Sequence, residues 1–291
     1  RTVPMLSTTI YKQKIQSGAL NDIFTRLYGS PEKAVPRYIE CIEGFERHFG
    51  EGREVMILSA PGRSEIGGNH TDHNNGKVLA AAVNLDMIAV AAKSDRPVCR
   101  VITKGFAPDE VDLTQLEPIE AEHNTSASLI RGVAAGIKNY GGNIGGFDAY
   151  TMSDVLKGSG LSSSAAFEVL MGTTFNHLYN EGKIPQTEEA KIGRFAENRY
   201  FGKPSGLMDQ MASAVGSFIA IDFKDSANPV IEKINFDFAS SGYKLCIVDT
   251  GGSHAELTGE YASIRAEMTG VAALFGCKLL REVDEEEFNR S

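Results

Sequence analysis

Residues 158–165, Gly158-Ser159-Gly160-Leu161-Ser162-Ser163-Ser164-Ala165, set glycines and a run of hydroxyls directly before an apolar stretch, Ala166-Phe167-Glu168-Val169-Leu170-Met171. Glycines let a ligand approach the backbone without a side chain in the way. A helix beginning at the serines would add unpaired N–H groups and a partial positive charge. Together these suit a phosphate, with hydroxyls left for its oxygens or for a metal. No Gly-Lys-Ser/Thr closes the loop, so it is not a Walker P-loop. Taken alone, it is equally a serine-capped turn before a core helix.

Two further segments carry polar groups in excess of what a connection needs. Residues 60–76 place Arg63, Asn69, His70, Asp72 and His73 between strand-like runs at Val55–Leu58 and Val78–Val83. His70-x-x-His73 has metal-ligand spacing, but no further ligand stands at a matching distance in the sequence, so zinc is not expected. The third segment, Gly202-Lys203-Pro204-Ser205-Gly206-Leu207-Met208-Asp209-Gln210, holds an aspartate that either caps a helix or serves as a base for a hydroxyl.

In this order and spacing, the three segments resemble the galactokinase branch of the GHMP small-molecule kinases, from about residue 20 onward. Residues 60–76 are similar to the galactokinase signature, the serine loop to the Gly-Leu-Ser-Ser-Ser-Ala nucleotide motif, and Met208-Asp209-Gln210 to the segment with the catalytic aspartate. The resemblance implies an α+β fold with the GHMP two-domain architecture and an active site in the cleft between the domains. Residues 1–226 would form the N-terminal domain, and 227–291 the start of a second domain that is only partly present. The family's third, glycine-rich motif has no counterpart here, so the chain is expected to be incomplete.

The implied reaction is ATP-dependent phosphorylation of the anomeric hydroxyl of galactose, with Mg2+. Asp209 would be the base and Arg63 its cationic neighbour. Gly158, Ser159, Gly160, Leu161, Ser162, Ser163 and Ser164 would cradle ATP, and Ser164 (or Ser163) with Glu197 would hold the metal. Asn69, His70, Asp72, Gly206 and Tyr261 would bind the sugar. The chain departs from the family pattern at Asn69 (usually glutamate), His73 (tyrosine), Gly67 (a bulky apolar residue) and Leu156 (proline). Asn69 therefore keeps open another sugar 1-kinase of this branch, acting on N-acetylgalactosamine, galacturonate or arabinose. A non-catalytic galactokinase-like sensor is disfavoured by Ser164-Ala165, a pair known sensors lack.

The 291 residues, 42% hydrophobic and 23% charged, suit globular domains with real cores. A net charge of −9 argues against a nucleic-acid surface, and no run reaches the ~18 apolar residues of a membrane span. Four scattered cysteines suit reduced thiols, hence the cytoplasm, and a monomer is expected. Helical spacing predicts helices at 21–28, 34–49, 125–139, 165–179, 187–201 and 261–275. Strands are expected at 55–59, 78–83, 87–93, 100–103, 147–152, 217–223 and 243–248. Short links between strands indicate α+β rather than a doubly wound sheet. The Asp225–Pro229 turn is the expected domain boundary.

Overall fold

Local capping sets the limits of the first elements. After the two-residue strand β1 (Leu6–Ser7), the Ser7 hydroxyl accepts from the Ile10 amide and opens α1 (Thr8–Gln16). Helices α2 (Asn21–Tyr28) and α3 (Ala34–Phe49) stop at Gly29 and Gly50, both at positive φ. These are the limits that apolar spacing predicts. The computed structural model describes residues 5–68, 71–155, 160–236, 238–243, 245–248 and 258–291.

The chain continues through β2 (Glu54–Gly67), β3 (Lys77–Lys93), β4 (Val98–Thr103), β5 (Asp109–Asp112), α4 (Ser126–Tyr140), β6 (Phe147–Ser153), α5 (Ser163–Tyr179) and α6 (Gln186–Ala196). A π turn, Glu197–Phe201, extends α6; then come α7 (Met208–Val215), β7 (Phe218–Asp222) and β8 (Val230–Ile234). Three helices close the described chain: α8 (Phe238–Ser241), α9 (Thr258–Leu274) and α10 (Glu285–Arg290).

One sheet runs β1-β2-β3-β6-β4-β5, with β7 and β8 added on β3. Every pair is antiparallel except β4 with β6, so the chain is α+β and not doubly wound. Period-2 alternation along β3 feeds two cores. Met87, Ala89 and Ala91 pack under α4, α5 and α6, while Ile88, Val90 and Ala92 pack under α1, α2 and α3. A helical layer thus covers each face of the sheet.

Four expectations need correction. Strand β2 does not end at Ser59 but runs on to Gly67, because β3 pairs with it throughout, with register breaks at Pro61/Arg63 and Glu65/Gly67. For the same reason 78–83 and 87–93 form one strand. The helix from 187 gives way to the π turn at Glu197. Residues 243 and 245–248 lie in no strand and are exposed; no strand among the described residues runs beside them to satisfy their backbone. Strand β8, after the Asp225–Pro229 turn, pairs with β7.

Strand β3 changes partners midway. Lys77–Ala81 pair with β7 and Met87–Lys93 with β6, leaving residues 82–86 between the two ladders. Leu85 in this interval packs with Val155, Leu161 and Ala166, so the serine loop enters the sheet where β3 switches neighbours.

Candidate active site

Arg63 is aimed by the break in the β2 ladder, a device that redirects side chains beside functional sites. Its Nε donates to Asp209 Oδ1 and its Nη2 to Asp209 Oδ2, both at 2.8 Å. Nη1 donates to the Gly160 carbonyl at 2.6 Å, and Nη2 also reaches Ser162 Oγ at 3.3 Å. The Arg63 amide donates to the Leu161 carbonyl, fastening β2 to the serine loop. Ser162 Oγ in turn donates to Asp209 Oδ2. Burial alone would lower the pKa of this guanidinium, but the charge and hydrogen bonds of Asp209 outweigh it and hold it above the ordinary arginine value.

Ser162 sits at φ +60°, a left-handed conformation that serine rarely adopts, and precedes the first turn of α5. Its side chain does not cap α5, so the helix presents N–H groups without a side-chain acceptor. The start of the loop is anchored from behind. Arg37 donates to Asp86 Oδ1 at 2.5 Å and pairs with Asp154 Oδ2 at 3.0 Å, tying α3 to β3 and to the residue before Val155.

Beside α5 lies a nearly dry carboxylate. Glu197 is 2% exposed, and its Oε1 accepts from Ser164 Oγ and from Lys203 Nζ, each at 3.0 Å. Its Oε2 accepts from Gln210 Nε2 at 2.8 Å, and the same amide reaches Glu168 Oε2 at 2.9 Å. Burial, then repulsion from Glu197, pushes the Glu168 carboxyl well above the usual range. Desolvation opposes the charge on Lys203, but Glu197, Asp209 and Glu168 outweigh it and raise its pKa. The π turn that begins at Glu197 places this carboxylate against the first turn of α5; such turns recur at functional sites.

Asp72, in a single 3-10 turn (Thr71–Asn74), is buried against Gly206. A Cβ at Gly206 would lie 1.7 Å from Asp72 Oδ2, so only glycine permits this approach. Of the sequence-derived candidates, the structure brings together Arg63, Asp209, Gly160, Leu161 and Ser162, then Ser164 with Glu197, and Asp72 with Gly206. Ser163 opens α5. Asn69, His70, Gly158 and Ser159 lie outside the described residues, as does the side chain of Tyr261, whose backbone belongs to α9.

Comparison with known proteins follows this geometry. The family model described as "Galactokinase galactose-binding signature" matches residues 43–93, and that described as "GHMP kinases N terminal domain" matches residues 128–217. A galactokinase of Streptomyces coelicolor is 33% identical over 264 residues, 85% of this chain and 67% of the relative. The chain belongs to the galactokinase family. A galactokinase of Actinobacillus pleuropneumoniae is 37% identical over 254 residues, 84% of this chain and 62% of that protein. The chain thus spans about two thirds of the length of these relatives. The crystal structure of Lactococcus lactis galactokinase complexed with galactose superposes with a TM-score of 0.70 at 24% identity, covering 86% of this chain and 65% of that one. Methanococcus jannaschii mevalonate kinase superposes at 0.57 and 17% identity, covering 74% and 69%. At these identities the superpositions show a shared GHMP fold.

Sequence reasoning gave no role to Gln210, Lys203 or Glu168 of this galactokinase-family site. Glu168 had a signal, as a lone charge inside the apolar run 165–171. Lys203 and Gln210 stood inside a quoted segment, but their meeting with Glu197 depends on the path of the loop. Among the described residues no three His, Cys, Asp or Glu side chains cluster as a metal site. The donor set nevertheless fits Mg2+, which takes few protein oxygens and keeps waters and phosphate oxygens. Ser164 Oγ and Glu197 Oε1, hydrogen-bonded at 3.0 Å, are the two oxygens that would hold it.

Proposed function

We propose that the protein transfers the γ-phosphoryl of ATP to the anomeric hydroxyl of galactose. The pairing of Arg63 with Asp209, against the carbonyl of Gly160 and the hydroxyl of Ser162, carries this reading. Phosphoryl transfer has a loose transition state, so the protein mainly positions groups and offsets charge. Asp209 orients the sugar hydroxyl and accepts its proton at a carboxylate oxygen. Arg63 holds that carboxylate by two hydrogen bonds and lies beside the loop that receives the phosphates. The amides opening α5, with Ser163 and Ser164, bind phosphate oxygens, aided by the residues before Gly160. When bound through Ser164 and Glu197, Mg2+ would neutralise phosphate charge.

Asp72, close to the Gly206 backbone, accepts hydrogen bonds from adjacent sugar hydroxyls, and Asn69, His70 and Tyr261 complete that subsite. We place the boundary between the domains near residue 226, with β8 reaching back onto the first sheet and the active site in the cleft. Residues 227–291 would be the opening part of the second domain. No helix among the described residues is long and apolar enough to cross a membrane, and none of the four cysteines is in a disulfide. A monomer in the reducing cytoplasm is consistent with both.

Galactose-dependent ADP release, measured with Mg2+ beside an Asp209→Asn variant, tests the reading. Release that requires galactose and disappears in the variant supports it. Release with N-acetylgalactosamine, galacturonate or arabinose, but not galactose, transfers the assignment to another sugar 1-kinase, with Asn69 as the determinant. Galactose binding without release under any sugar favours the sensor.

A further inference from the structure

Lys203 has no part in the mechanism above, yet it holds the carboxylate assigned to the metal. Its backbone amide donates to the Glu197 carbonyl at 3.2 Å and its Nζ to Glu197 Oε1 at 3.0 Å, so the residue is tied to Glu197 at both ends. The loop carrying it is closed by Asn198, which accepts from the Ser205 amide at 2.6 Å. Glu197 is almost fully buried, whereas about half of the Lys203 side chain is exposed. An uncompensated buried carboxylate is costly, so some cation must stand by Glu197 before any metal arrives. Lysine suits a temporary post: it is a compact point charge on a flexible stem. The oxygen it occupies is the one 3.0 Å from Ser164 Oγ, and an ion bridging those two oxygens would compete with the ammonium for it.

We propose that Lys203 is a placeholder cation, neutralising Glu197 in the metal-free protein and yielding that carboxylate to the divalent ion that arrives with the nucleotide. The inference rests on the metal role given to Glu197 above. Once displaced, the ammonium stays tethered by its backbone beside the site of the phosphates, where its charge remains useful. The arrangement also keeps a bare ion from settling on Glu197 ahead of the nucleotide.

Nucleotide-free Mn2+ binding, read by the electron paramagnetic resonance signal of free Mn2+, tests this without any turnover. The intact protein is compared with Lys203→Met, Lys203→Gln, Lys203→Arg, Glu197→Gln and the Lys203→Met/Glu197→Gln pair. Both neutral variants should bind Mn2+ roughly fivefold more tightly, the scale of a partly exposed ion pair. Lys203→Arg should stay near the parent, and Lys203→Met should add nothing in the Glu197→Gln background. If Glu197→Gln weakens Mn2+ binding while the neutral Lys203 variants leave it unchanged or weaker, the placeholder is overturned and the metal role of Glu197 survives. If Mn2+ binding ignores Glu197 altogether, both fall.

Discussion

Both oxygens of Asp209 are engaged by donors from Arg63 and Ser162, which fix the direction in which the carboxylate faces. Such a group suits a reaction whose nucleophile needs orientation more than deprotonation. Asp209→Asn should lower turnover by about 10²- to 10⁴-fold while galactose binding, followed by calorimetry, changes little. Loss of both would make Asp209 a structural cap. Arg63→Lys is also expected to cost activity, because an ammonium cannot span the two Asp209 oxygens and the Gly160 carbonyl together. At Gly206 the argument is steric. A Cβ 1.7 Å from Asp72 Oδ2 must displace the loop or the carboxylate, so Gly206→Ala should reduce kcat/KM for galactose on the order of 10²-fold. Calorimetry on the same variant should show weakened sugar binding.

Helix α4 owes its close fit on α6 to Gly132, where a Cβ would come within 2.7 Å of Ala196 Cβ. Gly132→Ala should therefore destabilise by about 1–3 kcal/mol, seen as a lower Tm, despite its better helix propensity. Glu189, on α6, makes stability depend on pH. Burial pushes its carboxyl up to about 7 in the fold against 4.5 outside it, even though Asn176 and Thr173 donate to it. The folded state then holds the extra proton, so stability is greatest below about 4.5 and falls as pH climbs towards 7. A Glu189→Gln variant should gain Tm relative to the parent between about pH 5 and pH 8. At this scale the sequence was readable where periodicity and caps agreed, as in α2, α3 and α5. It was unreadable where the answer lay in a neighbour. Strand β2 continues past Ser59 only because β3 accompanies it, β8 exists only through β7, and no 3.6-residue pattern announces the π turn at Glu197. The polar segments of the site were legible by residue type, while their meeting at Asp209 and Glu197 depends on how β2, α5 and α7 converge.

Across the whole molecule, the described C-terminal elements are bound to the end of the loop between β2 and β3. Arg281 donates to the Asn75 carbonyl at 2.6 Å and to both oxygens of Asp222, at 2.5 and 3.0 Å, joining the segment after α9 to the end of that loop and to β7. Arg281→Ala should loosen the loop and raise the galactose KM severalfold with kcat less affected, a split that steady-state kinetics would read. The sheet joins the two sides of the site in another way. Strand β3 is shared by the β7 and β6 ladders, and only residues 82–86 lie between them. Hydrogen–deuterium exchange should find the β3 amides within both ladders opening only with global unfolding, while those of the 82–86 interval open sooner. Since Leu85 packs with Val155 and Leu161, filling the nucleotide site should slow exchange at that short interval before anywhere else in the strand.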